Sequence, residues 1–156
     1  MTNLQPAAVP ALVLRRTYNV PRERVFAAWT TPETAMRFFC PGEMKAGEIT
    51  MDVKTGGAFM IAMKSPDGEP FVARGIYRAV VVPERLVMTW RWEEDDPAEE
   101  HESLLTLEFN ALGNATELVL IHEKLASVES SERHAEGWTS IIDQLATVLA
   151  DAGESK

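Results

Sequence analysis

One cysteine, Cys40, stands among 156 residues. A lone thiol excludes an internal disulfide framework and any zinc site built on clustered cysteines. No window approaches the ~20 continuous apolar residues that span a bilayer, so no membrane insertion is expected. The opening MTNLQPAAVPA has neither a basic start nor a long apolar run, which argues against a secretory signal. A cytoplasmic protein is the expectation. Basic side chains are scarce, 15 Lys and Arg against 24 Asp and Glu, for a net charge of −9. A field of that sign repels phosphate backbones, so no nucleic-acid partner is expected. The three histidines, His101, His122 and His134, are scattered, and with Cys40 they show no spacing that supplies a zinc ion with three or four ligands. No metal and no cofactor are expected. There is no G-x-S-x-G elbow, no P-loop and no G-x-G-x-x-G. A proton-transfer enzyme, which needs only one or two placed groups, survives these absences.

What is present is ordinary for a globular chain: 46% apolar and 25% charged residues. A domain of this length buries about 70% of the surface its unfolded chain exposes. Residues 1 to 10, with two prolines, read as a flexible lead, 11 to 151 as one domain and 152 to 156 as a tail. Leu12 to Val20 reads as a first strand. Pro21 fits the first turn of a helix carrying the apolar stripe Val25, Phe26 and Trp29. Thr31 reads as the N-cap and Pro32 as the first residue of a second helix, which ends around Phe38-Phe39-Cys40-Pro41-Gly42.

From Ala46 to Lys124 the alternation has period two, broken by turn residues such as Ser65-Pro66-Asp67-Gly68 and Leu112-Gly113-Asn114. Ser130 to Ala150 then carries an amphipathic helical pattern built on His134, Gly137, Trp138, Ile141, Leu145 and Leu149. Tightly connected strands are antiparallel neighbours. The fold class is therefore α+β: a curved antiparallel sheet wrapped around a long C-terminal helix, with two short helices after the first strand.

This order, with several local motifs, resembles the START-like, helix-grip superfamily (SRPBCC). Within it the chain is most similar to the activator-of-heat-shock-protein-90-ATPase homologues. The matching stretches are Arg16-Thr17-Tyr18, Pro21 through Trp29, Thr31-Pro32-Glu33, Gly56-Gly57-Ala58-Phe59, Pro66-Asp67-Gly68, Gly75-Ile76-Tyr77, Pro83 through Trp90, and His134 with Gly137-Trp138. They cover roughly residues 11 to 150. Members often carry paired tryptophans and a glycine before the proline that ends the second helix, where this chain has Phe38-Phe39-Cys40-Pro41. The resemblance implies a helix-grip fold and an internal cavity, and only weakly a reaction.

Alternation places Met51, Phe59, Ile61, Phe71, Tyr77, Met88, Trp90, Phe109 and Leu120 on the inner face, opposite Trp138 and Ile141. With Trp29, Phe38, Phe39 and His122 these are the expected ligand-binding residues. Met63, Trp92, Leu105, Leu107 and Leu118 share that face, and small Ala73 and Gly75 are expected to leave room beside the large residues. Trp138, Ile141 and Leu145 should meet Trp90, Phe109 and Leu120. His122 is the first candidate for acid–base chemistry and His134 the second, because imidazole titrates near neutrality. Tyr77, Ser103 and Thr116 fall on the inner register, whereas Arg74 and Arg78 fall on the outer one and read as solvated. The run Glu93 to Glu102, with seven carboxylates, also reads as solvated.

The primary expectation is a binder of a small apolar or aromatic molecule. The alternatives are a cyclase or dehydratase using a cavity histidine, and a co-chaperone acting on a chaperone ATPase, which ranks lowest. The motif order is also compatible with a homodimer.

Overall fold

A computed structural model describes residues 9–40 and 42–154. The expected lead falls largely outside these residues, as do Pro41 and the last two residues of the expected tail, whereas residues 152–154 of that tail continue the final helix. Strand β1 spans Leu12–Tyr18 and stops two residues short of the expected Val20, because the chain bends at Asn19 and Val20 before it enters the helix. Helix α1 spans Arg22–Thr30, with Val25, Phe26 and Trp29 buried as one stripe. Pro21 sits at the cap position rather than inside the first turn, its carbonyl accepting from the Arg24 and Val25 amides.

Helix α2 is shorter than expected, Pro32–Ala35. The Thr31 hydroxyl makes no cap bond, although its carbonyl accepts the Ala35 amide at 2.9 Å. Irregular turns continue from α2, with the Phe38 and Phe39 amides both donating to the Ala35 carbonyl. These turns bury Phe38 and Phe39.

Six further strands follow: β2 (Lys45–Met51), β3 (Ala58–Lys64), β4 (Pro70–Val81), β5 (Arg85–Trp92), β6 (Ser103–Leu112) and β7 (Ala115–Glu123). They form one sheet in the order β1-β7-β6-β5-β4-β3-β2, every neighbouring pair antiparallel. The β6–β7 hairpin turns over Gly113, whose φ of +62° suits a residue without Cβ. Irregularities at Ala46/Ile49 and Tyr77/Ala79 interrupt the ladders, and such bulges bend a sheet.

Register aligns the inner rows. Leu86, Leu107 and Leu120 face one another across β5, β6 and β7, as do Met88, Leu105 and His122, while Trp90 pairs with Ser103. A slip of one residue would turn each row to solvent, so the alternation and the buried face specify the same pairing.

Helix α3 spans Val128–Glu154 and lies in the concavity. Trp138, Ile141, Ile142, Leu145, Val148 and Leu149 are buried in the same cluster as Trp90, Phe109 and Leu120. The Trp138 and Trp90 rings lie 5.0 Å apart. Toward β1 the helix is fastened by polar contacts, Tyr18 Oη donating to the Ile142 carbonyl at 2.7 Å and Arg16 pairing with Asp143.

Two expectations about the sheet are corrected. Gly75 does not open space beside its neighbours: a Cβ there would stand 1.9 Å from the Thr89 carbonyl oxygen and 2.8 Å from the Phe59 ring. Its bareness lets β4 and β5 approach closely. Arg74 and Arg78 are on the outer side but are not merely solvated. Arg74 pairs with Glu93 and Glu100, Arg91 with Glu100 and Glu102, and Arg78 with Glu102. Glu100 is accordingly not a solvated carboxylate: its side chain is 4% exposed, and its acidity is strengthened first by the Glu94 amide and then by Arg74.

Candidate functional site

Where α3 begins, the sheet and helix diverge and enclose an open cavity of about 1110 Å³. Its position follows from sequence: Gly137 leaves the helix wall bare there, and the acidic β5–β6 loop runs along the opening. Among the expected ligand-binding residues, Phe39, Phe71, Trp90, Trp138 and Ile141 line it. Trp29, Phe38, Phe59, Ile61, Tyr77, Met88, Phe109, Leu120 and His122 are buried elsewhere in the core, and Met51 packs half-buried against that core. Phe71 is 39% exposed, at the cavity rather than in the core, because it opens β4 beside Met63 at the wide end of the sheet.

Met44, Met63, Trp92, Ser103, Leu125 and Ser130 also line the wall. Alternation put Met63, Trp92 and Ser103 on the correct face but carried no information about depth along the cavity. Leu125 and Ser130 belong to the β7–α3 link and the first turns of α3, and only the folded connection brings them to the wall.

The polar heart of the site is a chain of directed hydrogen bonds. Trp138 Nε1–H donates to His122 Nδ1 at 3.0 Å. His122 Nε2 lies 2.7 Å from Ser103 Oγ, and Ser103 Oγ–H donates to the Trp90 carbonyl at 2.9 Å. A hydroxyl has one proton, already given to Trp90, so the proton between Ser103 and His122 must be on Nε2. His122 is thereby held neutral in one tautomer with both nitrogens engaged. Burial lowers its pKa to about 3, with the neighbouring His134 adding to the effect.

His134 is arranged in the same way. It accepts the Trp92 indole proton at Nε2, 3.0 Å away, and so carries its own proton on Nδ1, which donates to the Ser130 carbonyl at 2.8 Å. Its pKa is also lowered, chiefly by burial, with the Ser130 bond opposing. The two rings stand nearly perpendicular with centroids 4.9 Å apart. The order expected of the two histidines is reversed with respect to the cavity: His134 lines it, and His122 sits behind Ser103 and Trp138.

Tyr77 is 2% exposed and packs on Phe59, and burial pushes its phenol up to about 12. Thr116 bonds the Val20 carbonyl at 2.7 Å, a structural contact at the start of β7. Among the described residues, no three His, Cys, Asp or Glu side chains converge as a metal site would require.

A curled antiparallel sheet gripping one long helix, with an open cavity between them, defines a helix-grip protein of the START-like class. The family follows from the sequence: residues 19–150 match the model of the activator of Hsp90 ATPase homolog 1-like proteins, and the chain belongs to that family. No curated protein matches the sequence significantly.

Solved structures agree on the fold. The AHSA1 protein from Silicibacter pomeroyi is 28% identical with a TM-score of 0.80, the match covering 90% of this chain and 98% of that one. A protein from Arthrobacter aurescens is 20% identical with a TM-score of 0.82, covering 92% and 87%. CalU16 from Micromonospora echinospora is 25% identical with a TM-score of 0.67, covering 88% and 74%. Among the described residues no helix is long and apolar enough to cross a membrane.

Proposed function

We propose that this chain binds a small, largely aromatic molecule between the first turns of α3 and the β4–β5 end of the sheet. The observation that carries this reading is the cavity itself, about 1110 Å³ and walled by Phe39, Phe71, Trp90, Trp92 and Trp138. Small-molecule sites are concave, mostly apolar, and furnished with few polar groups. Flat rings on the walls suit a flat ligand. The closed hydrogen-bonding of His122 and His134 favours binding over proton transfer, since neither ring offers a free nitrogen to a substrate.

A thermal-shift panel of polycyclic aromatics, flavonoids and lipids tests the proposal. A ligand at about 100 times its Kd stabilises a folded protein by about 2.7 kcal/mol. The expected result is an upward shift for aromatic compounds, abolished in a folded Gly137→Phe variant whose new ring occupies the cavity. No shift with any class would refute the reading.

A further inference from the structure

The first turns of α3 stand over the cavity with little to hold them. From Val128 to Gly137 every residue is exposed or half-buried, and Trp138 is the first helix residue in the main apolar cluster. Among the described residues one hydrogen bond joins this stretch to the sheet, from Trp92 Nε1–H to His134 Nε2 at 3.0 Å. His122 of β7 touches the His134 ring edge to face, without a bond.

Trp92 is placed to move. It is the last residue of β5, half-buried, and lines the cavity. Ala73 of β4 pairs with it, but the register with β6 ends at Trp90, so its other flank has no strand partner. The bond it makes has one working protonation state. Neutral His134 keeps its proton on Nδ1 for the Ser130 carbonyl and offers the Nε2 lone pair to the indole. A second proton on Nε2 sets two N–H donors against each other, because indole has no acceptor. The Ser130 bond survives that proton and gains strength from the charge, so the imidazolium stays with the helix.

We propose that the Trp92–His134 bond is a proton-operated clasp on the cavity: protonation of His134 parts the indole from α3, opens the mouth and releases a bound molecule. This rests on the binding reading above and adds its regulation. Burial is what chiefly lowers the His134 pKa in the shut form, the Ser130 bond opposing and the Arg133 charge adding to it. Opening relieves that burial, so the proton prefers the open form. The clasp is therefore fully shut above the ordinary imidazole value of 6.5 and yields as the pH falls below it. The charged groups around it are these. His122 on β7 is held neutral, and Arg133 on α3 lies 3.7 Å from Glu129. Glu93, Glu94, Asp95, Asp96, Glu99 and His101 line the cavity from the β5–β6 loop and Glu69 from the β3–β4 turn. Among the described residues none of these carboxylates pairs with His134, and their field favours its protonation once the indole has left.

The uncharged fluorescent aromatic N-phenyl-1-naphthylamine, titrated into the full chain, tests the clasp. One proton on an imidazole of ordinary pKa limits the weakening between about pH 7.5 and about pH 5.5 to about tenfold. The expected rise in Kd over that range is about three- to tenfold, with faster dissociation in stopped flow. His134→Gln keeps an acceptor for the Trp92 indole but takes up no proton, so its Kd should change less than about twofold. Both proteins retain His122 and the carboxylates, whose titration cancels in the comparison.

A second readout needs no ligand. In the unliganded protein the Trp92 indole ¹H–¹⁵N signal should move upfield and exchange faster with water, at the midpoint where the His134 ring titrates. In His134→Gln it should stay in place. Three results overturn the clasp and leave cavity binding intact: equal weakening of the probe in both proteins, a Trp92 signal unmoved while His134 titrates, or a His134 ring that stays neutral until the protein unfolds. If the probe fails to bind at either pH, the indole signal decides the clasp, and the thermal-shift panel separately decides the binding reading.

Discussion

Lowering the pH from about 7 to about 5 should destabilise this protein through His122. In the unfolded chain this imidazole protonates near its model value of 6.5, whereas burial and the adjacent His134 hold it neutral in the fold down to about pH 3. Between those values the unfolded state binds the extra proton. Stability from this residue is therefore complete above about pH 7 and is lost as the pH falls through 6.5 toward 3. By about pH 5 the loss is about 2 kcal/mol. A domain of this size shifts its Tm by about 2–4 °C per kcal/mol, so the His122 share is about 4–8 °C.

Carboxylates also titrate on acidification, which makes a matched variant necessary. His122→Gln keeps an acceptor for Trp138 and a donor for Ser103 but cannot take up a proton. Melting curves of both proteins at the two pH values should show a smaller pH-induced drop in the variant, by that 4–8 °C. Equal drops, or a His122 ring that titrates near 6.5 by NMR in the folded protein, would refute the reasoning.

Trp138→Phe should cost about 1–3 kcal/mol in urea denaturation beyond the packing change, because His122 Nδ1 is left buried without its donor. Gly75→Ala should be among the most damaging single substitutions, above about 4 kcal/mol or failing to fold, since the new methyl collides with the Thr89 backbone and not with a mobile side chain. Cys40 should resist a disulfide reagent at pH 8 in the native state and react rapidly in denaturant. It is buried, and burial pushes its pKa up to about 11, which leaves little thiolate. Rapid native-state labelling would contradict the packing of the α2–β2 segment.

The fold was legible in sequence where one face of an element is buried and the other is not. Leu105, Leu107 and Phe109 of β6 alternate strictly with less buried residues, and Leu118, Leu120 and His122 continue the row on β7, where Val119 on the opposite face is buried as well. The cavity was less legible. Alternation tells which way a side chain points but not how far along the wedge it stands, so Phe59 and Phe71 read alike although one is core and the other lines the opening.

The acidic loop read as solvated because charge runs usually are. Its placement depends on Arg91 of β5 and Arg74 of the neighbouring β4, which draw Glu100 out of water. The pairing of His122 and His134 with an indole each left no local signature either: Trp92 and His134 are 42 residues apart.

The bonds from Trp138 through His122 and Ser103 to the Trp90 carbonyl cross α3, β7, β6 and β5 in turn. Apolar packing alone tolerates small rotations of a helix in its groove, since one methyl can replace another. A directional bond does not: turning α3 by a single residue swings the Trp138 indole about 100° from its acceptor. The circuit therefore acts as an alignment pin. It fixes the azimuth of the helix and hence which of its side chains confront the cavity. Substitutions in this quartet should blur ligand discrimination, through a helix free to sample several settings, before they unfold the protein.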